Sequence, residues 1–274
     1  MRRLQLFSKM LRLTDKSTIK KQVYDMKKVL FILGVVMALA SCTSCKWEWH
    51  DKVLGVKLIE ASKTIVTKTY NLKPFEEITM RCVGNMEVIQ SDTKNGVVEL
   101  TAPDNYIELF KFESDNGTLD IDFSRNGVNI HDKNVMIKVY TTDLIAFKNS
   151  GAANVSIGSL DTDKLYLKNT GVGHFTIHKL IANEVEVSCS GVGDINISGQ
   201  TDDASLTCSG VGNILAEDLK ALNVKALVSG IGNITCHASE KIEGKVSGVG
   251  SLKYAGHPKH KQTSHPGAGH ISEL

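Results

Sequence analysis

A six-residue signature recurs six times in this chain at nearly constant spacing, and that recurrence decides the architecture before any other feature. The copies are Ser150-Gly151-Ala152-Ala153-Asn154-Val155, Thr170-Gly171-Val172-Gly173-His174-Phe175, Ser190-Gly191-Val192-Gly193-Asp194-Ile195, Ser209-Gly210-Val211-Gly212-Asn213-Ile214, Ser229-Gly230-Ile231-Gly232-Asn233-Ile234 and Ser247-Gly248-Val249-Gly250-Ser251-Leu252. Their first glycines lie 20, 20, 19, 20 and 18 residues apart. A unit this short cannot bury an apolar face alone, so the units must stack on one another as a solenoid.

Apolar residues fall at every second position on both sides of the glycine pair, as in Val185, Val187, Ile195 and Ile197, or Leu165, Leu167, Phe175 and Ile177. A period of two is the strand signal, so each coil is extended chain. Leucine-rich repeats share the length but need a denser leucine pattern and a helical side. Parallel strands about 4.8 Å apart carry six coils roughly 29 Å along the axis. The coil must turn sharp corners, and the repeat glycines (151, 171, 173, 191, 193, 210, 212, 230, 232, 248 and 250) are expected to permit positive φ and close approach of neighbouring backbones.

Stacking in register has two chemical consequences. The Ser or Thr before each first glycine forms a hydroxyl ladder, and Asn154, His174, Asp194, Asn213, Asn233 and Ser251 form a polar one, expected to satisfy polar groups at the corner. Cys189 and Cys208 share one repeat position, filled elsewhere by Asn149, Asn169, Val228 and Val246. Their Cα atoms should lie about 4.8 Å apart, but parallel side chains keep the Cβ atoms rather far apart, so buried thiols are expected in preference to a bridge.

Residues 64–150 read as earlier, less regular coils, with strand composition over Thr64–Tyr70, Ile78–Gln90, Val97–Thr101, Thr118–Phe123 and Val135–Tyr140. Asn116-Gly117 predicts a tight turn between Phe110–Ser114 and Leu119–Phe123. Pro103–Phe110 predicts a short helix with proline in its first turn.

Met26-Lys27-Lys28, the 12-residue apolar run Val29–Ala40, and then Ser41-Cys42 form a secretion signal, too short to span a bilayer as a helix. Leu39, Ala40, Ser41 and Cys42 resemble the bacterial lipobox, which implies cleavage before Cys42, lipidation of its thiol and attachment to a membrane through that anchor. Residues 1–41 are therefore the leader, of which 1–25 point to a misassigned start codon and 26–41 to the signal peptide. Residues 42–63 are a lipid-linked tether, and 64–274 the solenoid, with regular repeats over 145–256. No Asp directly follows Cys42, so an outer-membrane lipoprotein is expected, facing the periplasm or the cell surface.

The leader holds nine Lys/Arg against two Asp, a balance of +7, which leaves 23 basic and 28 acidic side chains, or −5, for the remainder. A mildly acidic body without a basic stripe argues against nucleic acid as partner. Gly191-Val192-Gly193 lacks the third glycine of a dinucleotide loop, and the 20-residue period with one acid, Asp194, on its ladder does not suit a calcium-binding roll. No GxSxG, HExxH or CxxC occurs in the repeat-bearing body. Asp161, Asp163, Asp202 and Asp203 are expected in solvated corner loops, and His257, His260, His265 and His270 in a mobile, solvated end. No cofactor or metal is expected, nor, with 6% aromatic residues, an aromatic strip.

The SG(V/I)G(N/D)I repeats, the entry Phe75-Glu76-Glu77-Ile78 followed by Val83-Gly84-Asn85-Met86-Glu87-Val88, and the ending Tyr254-Ala255-Gly256-His257-Pro258 resemble the head GIN domain of the auto-transporter adhesin family over roughly residues 64–274. The resemblance implies an all-β fold, a right-handed parallel β-solenoid on a secreted or lipid-anchored bacterial protein, with no active site to transfer. The expected function is non-enzymatic: an adhesion or binding module for glycans or proteins. A periplasm-facing structural or sensing component is the alternative. A polysaccharide-active enzyme would require a carboxylate pair about 5–10 Å apart lining a groove on adjacent coils.

Overall fold

The computed structural model describes residues 58–131 and 133–274. The expected leader, the lipobox Leu39–Cys42 and the tether up to residue 57 lie outside the described residues. In chain order the strands are β1 (Ile65–Asn71), β2 (Glu77–Met80), β3 (Val83–Gln90), β4 (Val97–Pro103), β5 (Phe110–Asp115), β6 (Thr118–Phe123), β7 (Met136–Thr141) and β8 (Ala146–Asn149). They continue as β9 (Ala152–Asn169), β10 (Phe175–Cys189), β11 (Ile195–Cys208), β12 (Val211–Val228), β13 (Ile231–Val246), β14 (Val249–Ala255), β15 (His260–Ser264) and β16 (His270–Glu273). One 3-10 helix, Asp104–Leu109, follows Pro103, where the fixed φ of proline ends β4.

The regular coils wind as the sequence predicts, into a β-solenoid. Each strand from β9 to β14 pairs in parallel with the one before, and residues at equal repeat positions face each other. Several inward columns make the core. Met86, Val155, Phe175, Ile195, Ile214, Ile234 and Leu252 stack on one side, and Ile78, Phe147, Leu167, Val187, Leu206 and Ala226 on another. All are buried. The interior is about one pair of side chains thick: Phe147 and Phe175 meet across it, centroids 5.4 Å apart, edge to face.

The first half departs from the expectation of successive coils. Only β2 and β3 form a rung, and they stack directly under β8 and the start of β9, with Ile78 on Phe147 and Met86 on Val155. Residues 91–145 leave the stack and return to cover its open edges. On one side β3 is bordered by parallel β7, then by antiparallel β4 and β1; on the other, β2 is bordered by parallel β6 and antiparallel β5. The physical reason is local. These segments lack the paired-glycine corner, and their turns reverse the chain: Asn116 (φ 49°) and Gly117 (φ 78°) close the β5–β6 hairpin that the Asn-Gly pair predicts. Antiparallel pairing here covers edges that would otherwise recruit other strands.

The last segment corrects another expectation. Residues 256–274 are a further coil, with β15 parallel to β13 and β16 parallel to β14. Its glycines 267 and 269 lie over 248 and 250, so Gly267-Ala268-Gly269-His270-Ile271 is a seventh copy of the signature. Its inward positions turn polar: Lys261 stands on the column of Ile242, and Glu273 on that of Tyr254. Lys261 Nζ donates to Glu273 Oε2 at 2.6 Å, and His257 Nδ1 lies 2.9 Å from Oε1. This ion cluster closes the end of the core, as terminal coils of stacked repeats require. The hydrogen bonds from Lys261 and His257 hold the Glu273 carboxyl below its ordinary range.

Candidate functional site

The signature corner is the most regular feature of the surface. The glycines are required by stacking along the axis: a Cβ on Gly191 would overlap the Gly171 carbonyl oxygen, with the Thr170 carbonyl carbon at 2.7 Å. Gly193 meets Gly173 in the same way, and its φ of +132° disfavours any side chain as well. Close approach of neighbouring backbones recurs along both glycine columns, whereas positive φ occurs among the repeat glycines at Gly173, Gly193 and Gly212 and not at the others.

Next to them the polar ladder runs coil to coil. Asn154 Nδ2 donates to Asn85 Oδ1 at 3.1 Å, and the His174 amide to Asn154 Oδ1 at 3.2 Å. The Asp194 amide donates to His174 Nδ1 at 3.3 Å, which therefore accepts. Above that, the amides of Asn213, Asn233 and Ser251 donate to Asp194 Oδ1, Asn213 Oδ1 and Asn233 Oδ1 at 2.9–3.2 Å. Each side chain thus satisfies a backbone donor of the coil above, where the corner geometry has interrupted the strand ladder.

A second ladder is fully buried. Asn149 Nδ2 donates to Asn169 Oδ1 at 3.0 Å, and Asn169 Nδ2 to the Gly173 carbonyl at 3.4 Å. Cys189 and Cys208, register partners on this column, send their thiols to the Gly193 and Gly212 carbonyls at 3.6 and 3.3 Å. The Asn169 amide and the two thiols do the same work: each donates to a carbonyl four residues on. Burial, with the neighbouring Cys208, pushes the Cys189 thiol up to about 11, and burial pushes those of Cys82 and Cys236 up to about 12, so thiolate is scarce at neutral pH. Alkylation of denatured, unreduced protein is expected to label both Cys189 and Cys208, while the native fold resists the reagent. A pair left unlabelled until reductant is added would mean a bridge.

The strand face formed by residues 164–168, 184–188, 203–207, 223–227 and 241–245 carries the candidate binding groove. Ser205 is short between longer neighbours, Glu186 below and Lys225 above, and leaves a depression of about 480 Å³ lined by Glu184, Asp203, Ser205, Lys225, Lys241 and Glu243. It continues past Lys225 and Glu243 into a more apolar recess of about 270 Å³ along Ala226, Leu227 and Gly244. Glu184 and Asp203 are register partners on adjacent coils, so the carboxylate pair that an enzyme would require does face a groove. Both are exposed and engaged: Lys164 Nζ donates to Glu184 at 2.9 Å, and Asn223 Nδ2 to Asp203 at 2.9 Å. Neither is buried against an apolar wall as a general acid must be.

Other predicted residues scatter. Asp161, Asp163, Asp202 and Asp203 lie exposed on β9 and β11, within strands and not in corner loops. His174 belongs to the ladder and His178 is exposed elsewhere on β10. Among the described residues no cluster of His, Cys, Asp and Glu is placed to hold a metal, His257, His260, His265 and His270 included. Lys225 and Glu243 escaped the sequence reading because only their place beside Ser205 makes them groove walls.

Residues 74–258 match the family described as "Putative auto-transporter adhesin, head GIN domain". A crystal structure of a "putative adhesin" from Bacteroides fragilis superposes with a TM-score of 0.76 at 34% identity, over 79% of this chain and all of that one. A "putative lipid binding protein" from Parabacteroides distasonis (TM-score 0.61, 21% identity, 80% of this chain, all of that one) and a "putative adhesin" from Parabacteroides merdae (0.57, 19%, 79% and 99%) share the fold. No curated protein sequence matches the chain.

Proposed function

Because the chain belongs to the putative auto-transporter adhesin, head GIN domain family, we propose that it is a non-enzymatic envelope lipoprotein whose β-solenoid binds extracellular or envelope polymers or proteins. The observation that carries this reading is the groove over Ser205, continuous across several coils and walled by both charge signs. An elongated groove with donors, acceptors and an apolar recess suits a chain-like ligand, read rung by rung. Anchoring through Cys42, in an outer membrane facing the periplasm or the surface, would present that groove to such polymers. Relatives named adhesins or binding proteins agree with a role in binding.

The test has two arms. Metabolic labelling with a radioactive fatty acid is expected to mark the chain, and Cys42→Ser to abolish the label. Pull-down on peptidoglycan sacculi, mucin-type glycoprotein and capsular polysaccharide is expected to retain the protein on at least one of them, and Ser205→Trp, which fills the groove from an outward-facing position, to release it. Retention on none, or equal retention of Ser205→Trp, sinks the groove reading.

A further inference from the structure

The signature corner carries an exposed apolar ridge. Between the two glycine columns, Val172, Val192, Val211, Ile231 and Val249 stack coil on coil, each 49–62% exposed. Their spacing is that of neighbouring strands, about 4.8 Å, so the methyl groups form one continuous strip. Favourable stacking of β-branched residues does not explain the chemistry, because Thr is equally β-branched, nearly isosteric with Val and better solvated. No Thr occurs on the ridge, although the columns two residues to either side hold Ser, Thr and Asn.

The strip is also nearly free of charge. Over the seven copies of the five residues from the Ser/Thr position to the ladder position (150–154 through 266–270), Asp194 is the one Asp, Glu, Lys or Arg, in a chain where 23% of residues are charged. Depletion of charge around an apolar centre is the compositional mark of an interface core. Exposed apolar residues scattered singly need no explanation, but a contiguous row does.

We propose that this ridge is a contact between two copies of the chain, related by a two-fold axis through Val211. The order along the ridge carries the argument. Val83 lies below Ala152 on the same column but is part-buried, so the exposed ridge reads Ala152, Val172, Val192, Val211, Ile231, Val249, Ala268, with Val211 in the middle. Antiparallel pairing about Val211 sets Val192 against the partner's Ile231, Val172 against the partner's Val249, and Ala152 against the partner's Ala268. Large meets large and small meets small. A second copy has the same rung spacing, so every rung finds the same contact, and a ridge of methyls flanked by bare glycine backbone can seat beside its own image. An aperiodic partner would match at one or two rungs only.

The size of the strip sets the strength. Seven rungs span about 34 Å, and five residues around the corner about 15 Å, so two copies bury on the order of 1,000 Å², at the low end for specific interfaces. The association is weak in dilute solution and is favoured when the chains share one surface. It uses none of the groove residues, so it stands or falls apart from the reading above.

Sedimentation equilibrium of the full chain from about 10 μM to about 1 mM tests it. The parent is expected to form dimers in this range. Val211→Lys and Val211→Glu, which set like charges face to face on the axis, are each expected to weaken dimerisation by about 100-fold or more, and an equimolar mixture of the two to restore it as a heterodimer. Val211 is half-exposed, so both variants are expected to melt close to the parent. Val211→Thr, which keeps the shape and removes a methyl, controls for folding. A parent that stays monomeric, variants that still self-associate, or a mixture that fails to recover the dimer overturns the proposal. So does a monomeric parent that binds neutral lipid vesicles or an uncharged glycan through the ridge.

Discussion

Gly191→Ala is expected to destabilise the fold by roughly 3–5 kcal/mol, close to the most that a single methyl can do. The added Cβ overlaps the Gly171 carbonyl oxygen, and the Thr170 carbonyl carbon lies 2.7 Å away. Both obstacles are backbone, so no side chain can rotate aside. Relief requires the coils to part where the Gly191 amide donates to the Asn169 carbonyl at 3.0 Å and the Val192 amide to the Gly171 carbonyl at 2.9 Å. The strain falls in the middle of the stack, with coils to displace on both sides. Gly158 supplies the comparison within one fold: nothing lies within 4 Å of a Cβ placed there, so Gly158→Ala is expected to be neutral or mildly stabilising through the unfolded chain. Urea unfolding followed by circular dichroism measures both. Two midpoints within experimental error of each other would contradict the coil-on-coil contact at Gly171 and Gly191.

That contrast between two glycines marks what the sequence makes legible. Gly191 recurs in register with six others and so announces a stacking role, whereas Gly158 recurs nowhere. The same logic made the Cys189 and Cys208 pairing, the polar ladder and the Asn116-Gly117 hairpin readable, because each depends on residues near in sequence or at equal repeat positions. The first rung was hidden for the opposite reason. β3 begins Val83-Gly84-Asn85-Met86, a recognisable signature, but Cys82 occupies the place of the first glycine, and the coil above lies more than 60 residues on. Period cannot report a pairing across an insertion. The seventh coil was masked by two substitutions, Pro266 for Ser and Ala268 for Val, although Gly267 follows Gly248 by 19 residues. The groove depends on Ser205 being shorter than Glu186 and Lys225, a relation among three coils that has meaning only once their register is known.

Phe175→Ala tests how far one coil depends on the next. Phe175 is 1% exposed and its ring meets Phe147 edge to face, while its column neighbours Val155 and Ile195 are smaller and cannot close over the gap. The loss is expected at about 3–5 kcal/mol, cavity and transfer together. Phe147→Ala removes the other half of the same contact, so the double variant should cost less than the two singles added, by about 0.5–1.5 kcal/mol for the aromatic pair. Where the loss is felt matters as much as its size. Each coil touches its two neighbours and little else, so the damage belongs to β9 and β10, and amide exchange should accelerate there first while β12 and β13 keep their protection. Equal acceleration in every coil would mean that the stack opens as one unit. A lesion at Phe175 would then reach the groove over Ser205 and the ridge at Val211 together, although neither contains the altered residue. Local opening confined to the lower coils unpairs Ala152 and Val172 in each copy and, with them, the partner's Ala268 and the partner's Val249, so self-association would weaken and rest on the central rungs about Val211.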